Sequence, residues 1–244
     1  MSGDQTTGSG TPAALGGATG GMAGGPGYAV GHVSSINGSD NLAPSSTTSF
    51  LSGTTLASFT DAMGYTVAQG NTSVVGSGND GIVGWGRWTN GSYTIDGVPQ
   101  APLRGNQGLH YVVGIPTATM PTNGLASYSF VGATNPTFND GSTPIGTFSF
   151  SYFSVDFSSA LLSLGFTVNI GGKAYNATGN NISFTNQFSG SLAVTCWSTC
   201  NGHVQGLFFG SAADRAGIVY RINNLNDGNT INGAAAFNRL AGMP

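Results

Sequence analysis

The sequence predicts an all-β protein: an eight-stranded antiparallel up-and-down β-barrel preceded by a small open β-sheet. Three observations predict it. The chain of 244 residues has 41 glycines, only 6 lysines and arginines, and 9 aspartates with no glutamate. Ser, Thr, Asn and Gly therefore fill the polar positions, and these residues favour turns and caps over helix interiors. The second observation is period-two alternation of apolar residues, which marks strands with one buried face. The third is that turn-forming clusters punctuate these runs at short intervals.

Residues 1–26, "MSGDQTTGSGTPAALGGATGGMAGGP", are low in complexity and rich in glycine. Such a segment buries too little apolar surface to offset its ordering entropy, so it reads as a flexible tail or linker. It lacks the basic and apolar regions of a signal peptide. With so little charge in the chain, the reading preferred here is an excised mature or internal segment. Residues 27–122 form a small open β-sheet unit, with short strands in "YAVGHVSS", "GYTVAQG", "GIVGWGRWTNGSYTID" and "GLHYVVGI". Asn90-Gly91 is the strongest hairpin signal, and "TTLASFTDAM" is the one helix-like stretch.

Residues 123–244 supply eight longer runs: "LASYSFVGA", "GTFSFSYFSVDF", "ALLSLGFTVNIG", "KAYNATGNNISFTN", "FSGSLAVTC", "HVQGLFFG", "RAGIVYRIN" and "TINGAAAF". Eight consecutive antiparallel strands with short turns predict closure into a barrel, which also removes exposed edges. Phe148, Phe150, Leu164, Phe166, Val168, Leu192, Val194, Phe208, Ile218 and Tyr220 are the expected core. In "GTFSFSYFSVDF" the apolar face switches between Tyr152 and Phe153, as a β-bulge would produce. Asp156 is expected to point to solvent, and Asp214-Arg215 to occupy a solvated bend between two strands.

The formal net charge of −3 excludes a nucleic-acid partner, because six scattered basic residues cannot track a phosphate backbone. No apolar run is long enough for a transmembrane span. Cys196 and Cys200 in "CWSTC" read as a local disulfide closing a tight loop in an oxidising compartment. His203 nearby brings the potential metal donors to three, with no second cluster to complete a site, so no metal is expected. Without a "GxSxG" elbow or paired carboxylates outside turns, no catalytic residue is assigned and the chain is not expected to be an enzyme. His32, His110 and His203 are the histidines. His110 and His203 are the candidates for haem ligation, and no other cofactor is expected.

"GWGRW", "GLHYVVGIPT", "VQGLFFGSAADRAGIVYRI" and "INGAAAF" together resemble the transferrin-binding-protein-B-like β-barrel modules of Gram-negative bacteria. The hairpin of form V-x-G-x-F-x-G-x-x-A followed by G-x-x-Y is the most specific part. The same elements resemble the C-terminal region of FecR-domain-containing proteins. The resemblance implies a handle plus barrel at the outer cell surface or outside the cell. It also implies a non-enzymatic binding role, with a protein partner, haem or a small solute as ligand. Two features depart from the family: no cysteine precedes residue 196, and loops such as "NPTFNDGSTP" are short and polar.

Trp85, Trp88, His110, Tyr111 and Trp197 form the candidate partner surface, since exposed aromatics carry binding energy. The alternative function is a structural subunit of a self-assembling extracellular filament or matrix. Its Gly-rich tail would then join neighbouring subunits by strand addition.

Overall fold

The computed structural model describes residues 27–36, 40–51, 55–224 and 226–240. The tail expected over residues 1–26 lies outside them. The described residues form strands and no helix. The first ten strands are β1 (Tyr28–Ser34), β2 (Asp40–Ser46), β3 (Thr48–Phe50), β4 (Leu56–Thr60), β5 (Thr66–Ala68), β6 (Ser73–Asn79), β7 (Val83–Thr89), β8 (Thr94–Ile95), β9 (Val98–Pro99) and β10 (Leu109–Gly114). They build two five-stranded handle sheets, ordered β2-β1-β10-β7-β6 and β3-β4-β5-β8-β9.

The remaining strands are β11 (Leu125–Ala133), β12 (Thr137–Phe138), β13 (Thr147–Asp156), β14 (Leu161–Ile170), β15 (Lys173–Ser183), β16 (Gln187–Thr195), β17 (Cys200–Phe209), β18 (Arg215–Asn224) and β19 (Thr230–Arg239). All but the two-residue β12 pair in sequence order, and β11 also pairs with β19, which closes an eight-stranded antiparallel barrel. The predicted fold class is what the chain adopts.

Aromatic rings fill the barrel. Phe166 lies 4.8 Å from Tyr220 and 5.1 Å from Phe148, Tyr128 stacks on Phe153 at 4.9 Å, and Phe188 meets Phe208 at 5.5 Å. Phe148, Phe150 and Val194 are half-buried, and the other seven expected core residues are buried. The bulge sits where the face switches: register shifts between Phe150 and Tyr152, turning Tyr152 outward and Phe153 inward. A second irregularity weakens one seam. β15 and β16 pair at only three positions, Asn176–Thr178 against Ala193–Thr195. Asn181 in β15 takes a left-handed conformation with φ 54°. Beyond those positions Ile182 packs beneath Gly179 and Gly190, where any Cβ would collide with it.

Between the second handle sheet and the barrel lies the first handle sheet, covered on both faces. Tyr28, Val30, Trp88, Leu109, Tyr111 and Val113 pack with Leu56, Phe59 and Val67 of the second sheet. From the opposite face Ala29, Val33, Val83 and Val112 pack on Leu207, Phe209, Val219, Ala234 and Ala236 of the barrel wall. β1 and β10 are consequently buried along their whole length.

Two handle expectations are corrected. Asn90-Gly91 does turn, with φ 52° and 147°, but makes no hairpin. β7 already has β6 and β10 on its two edges, so the chain leaves for the second sheet instead. The tight hairpin forms at Asp96-Gly97, between β8 and β9. The helix-like run folds as β4, whose Leu56 and Phe59 are buried. So short a segment cannot sustain a helix alone, and strand pairing overrides its weak propensity.

Candidate functional site

Barrel and handle are joined by charge as well as by apolar packing. Arg215, at the start of β18, bonds through Nε to the Asp80 carboxylate of the handle and through Nη1 to Asn238 Oδ1 at 2.6 Å. Asp214 accepts from the Ser211 and Ala212 backbone N–H groups and the Ser211 hydroxyl, fixing the β17–β18 turn. The bend is a structural corner, as expected, but its arginine serves the handle rather than solvent. Asp156 lies on the solvent side and accepts from the Ser159 hydroxyl and the Ser158 N–H, bonds that hold its carboxyl below the usual range.

The second charged junction lies on the outer barrel wall beside β2. His203 of β17 donates from Nδ1 to the Asp40 carboxylate of the handle, and its Nε2 lies 3.0 Å from Ser189 Oγ of β16. A carboxylate only accepts, so the neutral ring carries its proton on Nδ1 and Nε2 accepts from the serine hydroxyl. Arg221 Nη2 stands 3.7 Å from the other oxygen of Asp40. The Asp40 side chain is only 6% exposed, whereas Ser189 is open to solvent.

Ser189 opens onto a cleft of about 750 Å³ between β2, the β4–β5 turn and the β15–β16 end of the barrel. Gln187, Ser189 and Gln205 line the barrel side, and Leu42, Pro44 and Ala62 the handle side. The splayed β15–β16 seam shapes this wall, since strands there lack a continuous ladder. The side-chain oxygens of Gln187 and Gln205 are buried without a protein partner, an arrangement that folded proteins avoid unless a ligand or water completes it. The turn that follows the cleft-lining Ala62 presents Met63, 80% exposed, and Tyr65, 47% exposed. Asp61 Oδ1 accepts from the N–H groups of Met63 and Tyr65 at 2.9 Å, fixing that turn.

The expected partner surface is mostly inside the molecule. Trp88 is fully buried and donates from Nε1 to the Leu56 carbonyl at 3.1 Å. Tyr111 is buried against it, ring centroids 5.9 Å apart, and burial pushes its phenol upward in pKa. His110 is buried with Nδ1 2.7 Å from the Thr134 hydroxyl and Nε2 2.8 Å from that of Thr137. Burial, with Arg87 as second cause, holds its pKa well below the ordinary value. Trp85 is half-buried over Gly78 and Gly132 at the handle–barrel seam. These four residues are placed as packing elements because a sheet covered on both faces needs large rings on each side. Trp197 alone of the five is well exposed, at 53%, with Lys173 Nζ 3.4 Å from its ring centroid. It projects from a loop closed by the Cys196–Cys200 disulfide, Cα–Cα 6.3 Å, as the sequence predicts.

Neither haem candidate offers a free ring nitrogen: His110 is bonded to two threonines, and His203 to Asp40 and Ser189. Neither of these two histidines fits a haem as it stands. Among the described residues no three His, Cys, Asp or Glu side chains gather to hold a metal ion, and no helix is long and apolar enough to cross a membrane. Reading the sequence missed Ser189, Asp40, Met63 and Tyr65. The one available signal was "DAMGY", where large apolar residues sit in a glycine turn.

No family model matches the chain. No curated protein matches it by sequence. Among solved structures, it is similar to a transferrin-binding protein B of Haemophilus parasuis, with 12% identity and a TM-score of 0.46 over 88% of this chain and 45% of that one. It is similar to the isotype 1 protein from serogroup B Neisseria meningitidis at 13% identity and a TM-score of 0.42, over 88% of this chain and 44% of that one. A transferrin-binding protein B of Actinobacillus pleuropneumoniae gives 14% identity and a TM-score of 0.40, over 69% of this chain and 82% of that one. The chain thus spans less than half the length of the Haemophilus and Neisseria chains. These likenesses carry no link to FecR-domain proteins.

Proposed function

We propose that the protein is a binding module of the bacterial cell surface or exterior that seats a segment of a protein partner in the handle–barrel cleft. The observation that carries this reading is the cleft itself, which sets Gln187, Ser189 and Gln205 of the barrel against the apolar Leu42, Pro44 and Ala62 of the handle. The polar side chains of the barrel wall are partners for the backbone of a bound chain, and the apolar handle wall, with Met63 and Tyr65 exposed in the turn beside Ala62, supplies the contact that anchors it. The barrel interior, by contrast, is occupied by aromatic side chains, so ligand recognition belongs on the outside. Trp197 and Lys173, on the far end of the barrel, are a second contact for a large partner.

The test is selection of displayed random peptides on the wild-type protein, followed by affinity measurement on Met63→Asp and Tyr65→Asp. Enriched peptides should lose at least tenfold in affinity on both variants. Failure to enrich any peptide, or binding indifferent to both changes, would overturn the reading. Concentration-dependent filaments from the protein alone would favour the self-assembling subunit instead.

A further inference from the structure

The geometry points to a serine acyl-transfer site at Ser189, with His203 as general base and Asp40 as its orienting carboxylate, acting on short-chain carboxylic esters held in the cleft. This goes beyond partner binding and requires only that the cleft be open at Ser189.

Three requirements of nucleophilic acyl transfer are met by residues from three strands. The nucleophile's hydroxyl bonds to the base, Ser189 Oγ to His203 Nε2 at 3.0 Å. The other ring nitrogen bonds to a nearly buried carboxylate, which fixes the tautomer that leaves Nε2 free to accept a proton. The serine is exposed, on the wall of an open cleft large enough for an acyl ester. A fourth requirement, a donor for the developing oxyanion, falls to Gln205. It is the direct cross-strand partner of Ser189, lies two residues beyond His203 on the same strand face, and lines the same cleft. Side-chain amides serve this role when directly opposed residues bring them within reach. Leu42 and Pro44 form the apolar wall facing the acyl chain.

In the reaction the Ser189 oxygen adds to the ester carbonyl carbon while His203 Nε2 takes the hydroxyl proton. The carbonyl oxygen becomes an oxyanion that accepts from the Gln205 amide. Collapse expels the alcohol, which leaves with the proton from His203, and the acyl group remains on Ser189. Solvent water, deprotonated by His203, then adds to the acyl carbonyl. Ser189 departs with that proton and a carboxylic acid is released. Nothing is oxidised or reduced.

The experiment uses the full chain, an alkyl fluorophosphonate and p-nitrophenyl butyrate. Wild-type protein should gain one phosphonyl adduct, mapped to Ser189 by peptide mass spectrometry, and should release p-nitrophenol catalytically. Ser189→Ala should abolish both signals. His203→Gln should slow labelling by about 10²-fold or more, and Gln205→Ala should lower turnover by about 10–10³-fold while sparing the hydroxyl. Ser189 is a surface side chain, so folding is not at issue for Ser189→Ala, and far-ultraviolet circular dichroism checks that Gln205→Ala, at a half-buried position, keeps the fold. No adduct at Ser189 in the wild type, or turnover unchanged in Ser189→Ala, overturns the proposal. Because peptide affinity is read separately at Met63 and Tyr65, loss of the chemistry and loss of the binding reading are told apart.

Discussion

Handle and barrel bury similar chemistry by opposite means. In the barrel, strands of nine to eleven residues pair with their sequence neighbours, and one face of each meets an interior of stacked rings. In the handle, strands of two to seven residues pair out of order, and its first sheet is covered on both faces. Most buried polar residues fall in the handle, among them His32, Ser34, Arg87, Gln107 and His110. Arg87 shows how they are accommodated: its guanidinium donates to the Gly105 and Gln107 carbonyls at 3.1 Å, although burial lowers its pKa. A core built by hairpins can be almost wholly apolar. A core assembled between layers must also house the polar groups of the loops that cross it.

The largest test of this contrast removes one ring from each region. Phe166→Ala in the barrel and Trp88→Ala in the handle should each cost about 3–5 kcal/mol in denaturant unfolding. If the two regions melt as one unit, fluorescence and far-ultraviolet circular dichroism will give coincident transitions in both variants. A separate early transition in Trp88→Ala alone would show that the handle opens independently.

Acid should act on the same scale, and should act on the handle. Burial holds His32 at about 4, against the opposing pull of Asp61 and Asp40, and holds His110 well below its ordinary value. Both folded values lie below the unfolded value of about 6.5. Between about pH 6.5 and 4 the unfolded chain therefore binds protons that the folded handle refuses, and stability falls as pH falls. The slope is about 1.4 kcal/mol per pH unit for each histidine, with no contribution from either above that window. Urea midpoints at pH 7, 5.5 and 4.5 check it. A flat profile would mean that the handle histidines are not buried in solution.

Replacing Cys196 and Cys200 by serine should cost about 2 kcal/mol, because the closed loop is short. The loss should appear in barrel signals and leave the handle's acid response unchanged. Smallest should be Arg215→Ala, at about 1–2 kcal/mol, since it removes the Asp80 and Asn238 contacts while sparing apolar packing. Hydrogen exchange should then quicken in the β6–β7 turn rather than inside the barrel.

Much of the barrel was legible because each strand hides one face, so Leu164, Phe166 and Val168 announce themselves by alternation. Even the bulge showed, as a slip between Tyr152 and Phe153. The handle was harder because "LHYVVG" is buried on both faces and carries no alternation. Its aromatic residues read equally well as surface or core, and the layered packing made Trp88 and Tyr111 core. The site was nearly illegible. His203 attracted notice through its neighbouring cysteines, but its partners lie 14 residues away at Ser189 and 163 away at Asp40, joined only by the fold. Asp40 in "SD" looks like any turn aspartate.

The barrel closes its hydrogen-bond ladder around the circumference, yet its wall at Leu207, Phe209, Val219, Ala234 and Ala236 is as apolar outside as a core is inside. Cutting the chain ahead of β11 would leave every barrel strand paired and still strip that flank of its cover. The liberated barrel would be sticky along one side, seeking a second copy or a chaperone to shield it. Closure of the backbone is not closure of the surface, and a ring complete in its bonds still needs the handle to be soluble.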